Sequence, residues 1–206
     1  MQTLFQKSAG GNWPANALFE YVLAGRPDNG VNTRIMEEKA SFSETYGKTL
    51  PITASPNIMV ASFFANEAME PTIIRWMQRI FGAQPSFSVT LNNYSGFPPD
   101  TIFLRVQDPQ PFLLIRKKLQ PVDEFIRASD CPPLKLHTRP HLSIAQQLPE
   151  QVYNKAMADY ARKIFHASFR IEELLLLRRS NPFDICKTVQ IFRLLPAGND
   201  EFSCVA

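Results

Sequence analysis

The chain has 206 residues, of which 45% are hydrophobic and 20% charged, a balance that excludes disorder, collagen-like sequence and coiled coil. Its formal net charge of +3, without a dense Lys/Arg tract, permits a phosphate-bearing ligand but does not demand nucleic acid. No apolar run is long enough for a membrane span. Met1–Ala24, broken by Gly10, Gly11 and Pro14, lacks the apolar core of a secretory signal, so no membrane partner and a cytoplasmic location are expected.

Leu18–Ala24 reads as a strand and Pro27–Gly30 as a turn, and Val31–Tyr46 carries helical spacing at Ile35, Met36, Lys39 and Phe42. Asn57–Phe64 is an apolar strand preceded by Pro56, whose ring biases the residue before it toward extended geometry. Glu70–Phe81 follows as a helix with Ile73, Ile74, Met77 and Ile80 on one stripe, stopped by Gly82. Ser86–Asn93 and Thr101–Val106 read as strands joined by a turn-rich segment, and Gln110–Ala128 as a helix broken or kinked at Pro121. Arg139–Gln146 is a short strand around Pro140, Glu150–Phe165 a helix, and Phe169–Leu177 and Thr188–Leu195 the closing strands.

Alternating strands and helices imply an α+β or α/β sandwich rather than a bundle. We expect an N-terminal extension at 1–17, one domain at 18–196 made of two pseudo-symmetric lobes, and a tail at 197–206. The two-lobe reading rests on a weak repeat: Pro56-Asn57-Ile58-Met59 recurs as Pro140-His141-Leu142-Ser143, 84 residues on. Cys131, Cys186 and Cys204 are widely spaced with no CxxC pair, which points to unpaired thiols. Neither metal nor organic cofactor is expected, since no ligand cluster has metal spacing. Walker, GxGxxG, HExxH and GxSxG motifs are all absent.

Pro140-His141-Leu142-Ser143-Ile144-Ala145 resembles the second signature of the 2H phosphoesterase superfamily, which includes bacterial 2′-5′ RNA ligase-like proteins. With the strand–turn–strand around Asn93–Pro98 and Thr101–Leu104, the resemblance runs from about Phe19 to Arg179. It implies a two-lobed, LigT-like α+β fold, with antiparallel-rich sheets around a central cleft and helices outside. It also implies two His–x–Thr/Ser motifs that act on a phosphodiester of RNA or a nucleotide. At the first motif, however, the sequence reads Asn57-Ile58-Met59.

In a strand, residues two apart share a face, so His141 and Ser143 point one way, as would Asn57 and Met59. Histidine titrates near neutrality and suits proton transfer, whereas Asn57 can only hydrogen-bond. On the resemblance, His141 and Ser143 are the catalytic candidates. Asn57, Arg139 and Phe103 are the candidates for holding phosphate or nucleotide, with Arg105 and Lys135 adding positive potential. Phe63, Phe64, Tyr94 and Phe97 are further stacking candidates, although core packing is the stronger reading for phenylalanines here. His137 has the strand parity of His141 but lies upstream of it, and the placement of His166 is open. Three readings remain: a weak phosphoesterase, a non-catalytic phosphate- or nucleotide-binding protein, and an interaction protein that has kept only the fold.

Overall fold

In a computed structural model, the residues described are 18–47, 55–181 and 184–197. The proposed N-terminal extension, all of the tail beyond Ala197, and Cys204 lie outside them.

The chain opens with strand β1 (Phe19–Gly25). Asp28 then caps helix α1 (Asn29–Tyr46) by accepting a 2.9 Å hydrogen bond from the Val31 N–H, so the expected turn at Pro27–Gly30 is instead a helix start. Strand β2 (Ile58–Ala65) leads through a 3-10 turn into α2 (Glu70–Gly82), where Ile73, Met77 and Phe81 recur every fourth residue and are buried. The hairpin β3 (Phe87–Phe97) and β4 (Thr101–Val106) comes next, with β3 running four residues beyond its predicted end at Asn93. Two short helices follow, α3 (Gln110–Lys118) and α4 (Gln120–Ala128). Pro121 sits in the first turn of α4, where a missing N–H costs no hydrogen bond, and so the predicted break is a fresh helix start. The remainder is β5 (Lys135–Leu136), β6 (His141–Ala145), α5 (Glu150–Tyr160), β7 (His166–Ile171), β8 (Glu173–Arg179) and β9 (Lys187–Arg193).

The strands form two antiparallel sheets, one in the order β5-β2-β1-β8-β9 and the other β6-β4-β3-β7. The predicted single strand Phe169–Leu177 is two strands, because β7 ends one sheet and β8, a residue later, joins the other. One apolar interior serves both sheets. Tyr21 of β1 stacks on Phe63 of β2 at 5.2 Å between ring centroids, and Phe81 of α2 meets Phe192 of β9. Gly25, on the same face of β1 as Tyr21 and Leu23, lies where a Cβ would fall 2.6 Å from Ile171 Cδ1 of the second sheet. A larger residue there would have to push the Ile171 side chain aside.

Charged side chains secure the end of the first sheet. Arg178 bonds Glu67 and Glu70, each at 2.9 Å, and the Tyr21 hydroxyl donates to Glu70 at 3.0 Å. Arg179, on the opposite face, pairs with Glu20. The twin arginines thus fasten the sheet at the end of the buried leucine run.

Candidate functional site

The site is set by matching irregularities in two strands. In β2, Met59 faces Ala24 of β1 and Ala61 faces Leu23, so Val60 is bulged out of register. In β6, Ser143 faces Phe103 of β4 and Ala145 faces Ile102, which bulges Ile144 in the same way. Aligning the bulges makes Met59 the counterpart of Ser143, and Asn57 that of His141. The weak repeat in the sequence is therefore a repeat of backbone geometry.

His141 and Ser143 are half-buried and share one face of β6, while Leu142 and Ile144 are buried on the other. The His141 Nδ1 lies 2.8 Å from the carbonyl oxygen of Arg139. A carbonyl can only accept, so Nδ1 carries a hydrogen and Nε2 is the nitrogen left for a ligand, an acceptor on the neutral ring and a donor on the protonated one. Two rings brace the imidazole: Phe97, edge-on at 5.0 Å between centroids, and Phe103 at 4.8 Å. Ser143 Oγ accepts a 2.7 Å bond from Gln146 Nε2, which leaves its own hydrogen available to a ligand oxygen.

The other predicted residues fall around this pair. Phe103 lies across from Ser143 and is 6% exposed, stacked beneath Phe97 at 4.3 Å, so the half-buried Phe97 offers the more open ring. Arg105 stands directly opposite His141 in register and is exposed. Arg139 precedes β6 rather than lying in it, so strand parity does not govern its exposed side chain, and the observed contact comes from its carbonyl. Asn57 sits just before β2, half-buried, with its Oδ1 buried and without a hydrogen-bond partner. Met59 is half-buried on the face that holds Val22 and Ala24 of β1.

Two residues enter that sequence parity misplaced. Ser62 faces Val22, so the bulge at Val60 moves it onto the Met59 face, whereas strict alternation would put it on the opposite one. Edge strand β5 pairs with β2 through Ala61–Leu136 and Ser62–Lys135, and the next N–H, of His137, donates to the Val60 carbonyl at 3.0 Å. The His137 ring reaches Ser62, with Nε2 3.4 Å from Oγ. Burial, then the charge of His141, and after it those of Arg116 and Lys135, hold the His137 pKa below the ordinary histidine value, with Glu20 opposing. His137 is thus hydrogen-bonded to β2 of the first sheet and lies four residues before His141 on β6 of the second.

His166 begins β7 opposite Asn92 and is exposed, its carbonyl bonded by Arg34, away from this cluster. The predicted stacking residue Phe63 is buried on Tyr21, and Tyr94 packs edge-on against Tyr160 in the core. A groove of about 210 Å³ is lined by Gln110, Leu113, Leu114, Arg116, Lys117 and Leu136, and His137 is not among its lining residues. Among the described residues, no group of three or more His, Cys, Asp or Glu could hold a metal ion, and no helix is long and apolar enough to cross a membrane.

The fold and sequence both have relatives. The structure is similar to TT0787 of Thermus thermophilus, with TM-score 0.63 and 18% identity over 87% of this chain and 100% of that one. It is also similar to Escherichia coli LigT, in its apo form at TM-score 0.63 and 16% identity over 86% of this chain and 98% of that one. The likeness extends to LigT complexed with 3′-AMP, at TM-score 0.60 and 15% identity over 86% and 99% of the two chains. A search among curated protein sequences found no match. The model of the 2′-5′ RNA ligase superfamily matches residues 55–182, a span that takes in both bulged strands, β5 and the hairpin that braces His141. This chain belongs to the 2′-5′ RNA ligase superfamily, with the two-sheet α+β fold of the 2H phosphoesterases.

Proposed function

We propose that this protein binds a nucleotide or an RNA-terminal phosphodiester between its two sheets, with His141 and Ser143 holding the phosphate. By the usual two-histidine route its phosphoesterase turnover is weak. The observation that carries this reading is the orientation of His141: Nδ1 is committed to the Arg139 carbonyl, which leaves Nε2 to meet a ligand and, on the protonated ring, to donate to a phosphate oxygen, on the strand face that also holds the free hydrogen of Ser143. The Nε2–H of a protonated imidazole and a hydroxyl two residues apart on one strand suit adjacent oxygens of one phosphate. Arg105 and Arg139 add positive charge at the rim, and Phe97 above Phe103 offers an aromatic surface to a base. The complexes of E. coli LigT with 3′-AMP, phosphate and ATP support a nucleotide or phosphate ligand here by analogy.

Asn57 and Met59 limit the chemistry. At the position that mirrors His141, an amide cannot carry a proton near neutral pH. At the position that mirrors Ser143, a thioether cannot donate a hydrogen bond to phosphate. Losing one of two proton-transfer groups lowers a rate by about 10²–10⁴-fold. The same observation favours a second reading, in which the cleft binds its ligand without turnover. Residues 18–196 act as one unit in either case, because the site draws on strands from both sheets.

The test is hydrolysis of 2′,3′-cyclic nucleotides and of a 2′-5′-linked dinucleotide, together with 3′-AMP binding, in the wild type and in His141→Ala. Binding or turnover lost in His141→Ala supports the proposal. Binding and turnover that are both indifferent to His141 overturn it.

A further inference from the structure

We propose that His137 and Ser62 supply the second half of this site, taking over the proton-transfer and phosphate-holding tasks that Asn57 and Met59 cannot perform. The inference rests on the reading of His141 and Ser143 as the phosphate site and adds a second imidazole to it. Its basis is geometric. Backbone pairing of β5 with β2 delivers His137 to the bulge at Val60, the irregularity that also defines the first motif position. The bulge turns Ser62 onto the ligand-facing side of β2, within 3.4 Å of His137 Nε2. Of the three histidines, His137 is hydrogen-bonded to β2 of the first sheet and lies four residues before His141 on β6 of the second, whereas His166 stands on β7 at the far edge of that sheet.

The 3.4 Å contact lies at the long limit of a hydrogen bond. A phosphate oxygen can therefore take the Ser62 hydroxyl, and a water can take His137 Nε2, without displacing a strong bond. Arg116 and Lys135 surround His137 with positive charge, and Arg116 Nε is buried without a partner, so an anion is favoured at this spot. Burial, His141, Arg116 and Lys135 all lower the His137 pKa, against Glu20 alone, so the ring is neutral near pH 7 and fit to accept a proton.

The step balances for a 2′,3′-cyclic phosphodiester. Water attacks phosphorus as His137 takes its proton, the bond from phosphorus to one ribose oxygen breaks, and protonated His141 gives the Nε2 hydrogen to that leaving oxygen. Nδ1 of His141 keeps its hydrogen on the Arg139 carbonyl throughout. Solvent returns the two imidazoles to their starting states.

The test is the pH profile of 2′,3′-cyclic AMP hydrolysis, with 3′-AMP affinity measured alongside, in the wild type, His137→Gln, Ser62→Ala, His141→Ala and His166→Ala. His137→Gln is expected to lose about 10²–10⁴-fold in kcat and the acid limb of the profile, whereas His166→Ala matches the wild type. Ser62→Ala is expected to raise KM more than it lowers kcat. Thermal melting identifies any variant that fails to fold. In the wild type, the His137 ring resonances are expected to move when 3′-AMP is added, a readout that needs no substitution. Unchanged turnover with the acid limb intact in His137→Gln overturns the inference, as do His137 resonances that ignore 3′-AMP. Binding of 3′-AMP that depends on His141, without turnover in the wild type, also overturns it and leaves the proposed function standing. Failure of the wild type to bind or turn over either ligand defeats both.

Discussion

Val60 and Ile144, 84 residues apart, occupy the same place in the same strand irregularity, each bulged out of register between two paired neighbours. A bulge reverses the facing of every residue beyond it, so it decides which side chains meet a ligand. In β6 the residues ahead of the bulge are His141 and Ser143, and in β2 they are Asn57 and Met59. Past the bulge in β2, Ser62 turns inward and meets His137. The two halves of the site are thus related in backbone and unlike in chemistry.

Restoring the first motif is a direct consequence. Asn57→His with Met59→Thr places an imidazole and a hydroxyl where the register mirrors His141 and Ser143. Introduced into the His137→Gln background, where His141 is the one imidazole left at the site, the pair is expected to raise hydrolysis of 2′,3′-cyclic AMP by about 10²–10⁴-fold over His137→Gln alone. A well-folded triple variant with no gain would contradict the equivalence drawn from the bulges.

The bracing of His141 depends on the hairpin beneath it. In β3, next to Phe97, a Cβ on Gly96 would fall 2.3 Å from the Tyr153 hydroxyl and 3.1 Å from Met157 Sδ. Gly96→Ala therefore displaces α5 or the hairpin, at a cost of about 1–3 kcal/mol. That corresponds to a fall in Tm of roughly 2–4 °C per kcal/mol for a chain of this size. Gly82→Ala, with nothing within 4 Å of its Cβ, serves as the control and leaves Tm unchanged or slightly higher. Thermal melting of both variants checks this.

Stability should carry the signature of His137. Its native pKa is lowered, chiefly by burial, so the unfolded chain binds this proton at a higher pH than the native one does. The contribution is complete above the ordinary histidine value of about 6.5 and is lost as pH falls from there toward the lower native pKa. His137→Gln is expected to reduce the drop in Tm between about pH 7.5 and 5. An identical pH slope in the variant would contradict the buried, neutral imidazole.

Much of this architecture was legible in the sequence because it is local. Period-four apolar spacing announced α2, and alternation after Pro140 announced β6 and the shared face of His141 and Ser143. Pro121 marked the boundary between α3 and α4, although its role as a helix-starting residue emerged only from the structure. What escaped was set by pairing between distant segments. Strand β5 is two residues long, too short for any periodicity, yet it delivers His137 to β2. Ser62 was hidden by the bulge, which no alternation rule anticipates. The change of sheet between Ile171 and Glu173 left no turn signal, because the single residue Glu172 joins the two strands without glycine or proline.

The central claim is that His141 and Ser143 hold the phosphate of the ligand, and the most direct measurement is a crystal structure of the protein with 3′-AMP. The account predicts phosphate oxygens at about 3 Å from His141 Nε2 and from Ser143 Oγ, with the Nδ1 contact to the Arg139 carbonyl preserved. A phosphate bound away from His141, or a His141 ring turned so that Nε2 meets the Arg139 carbonyl, would contradict it.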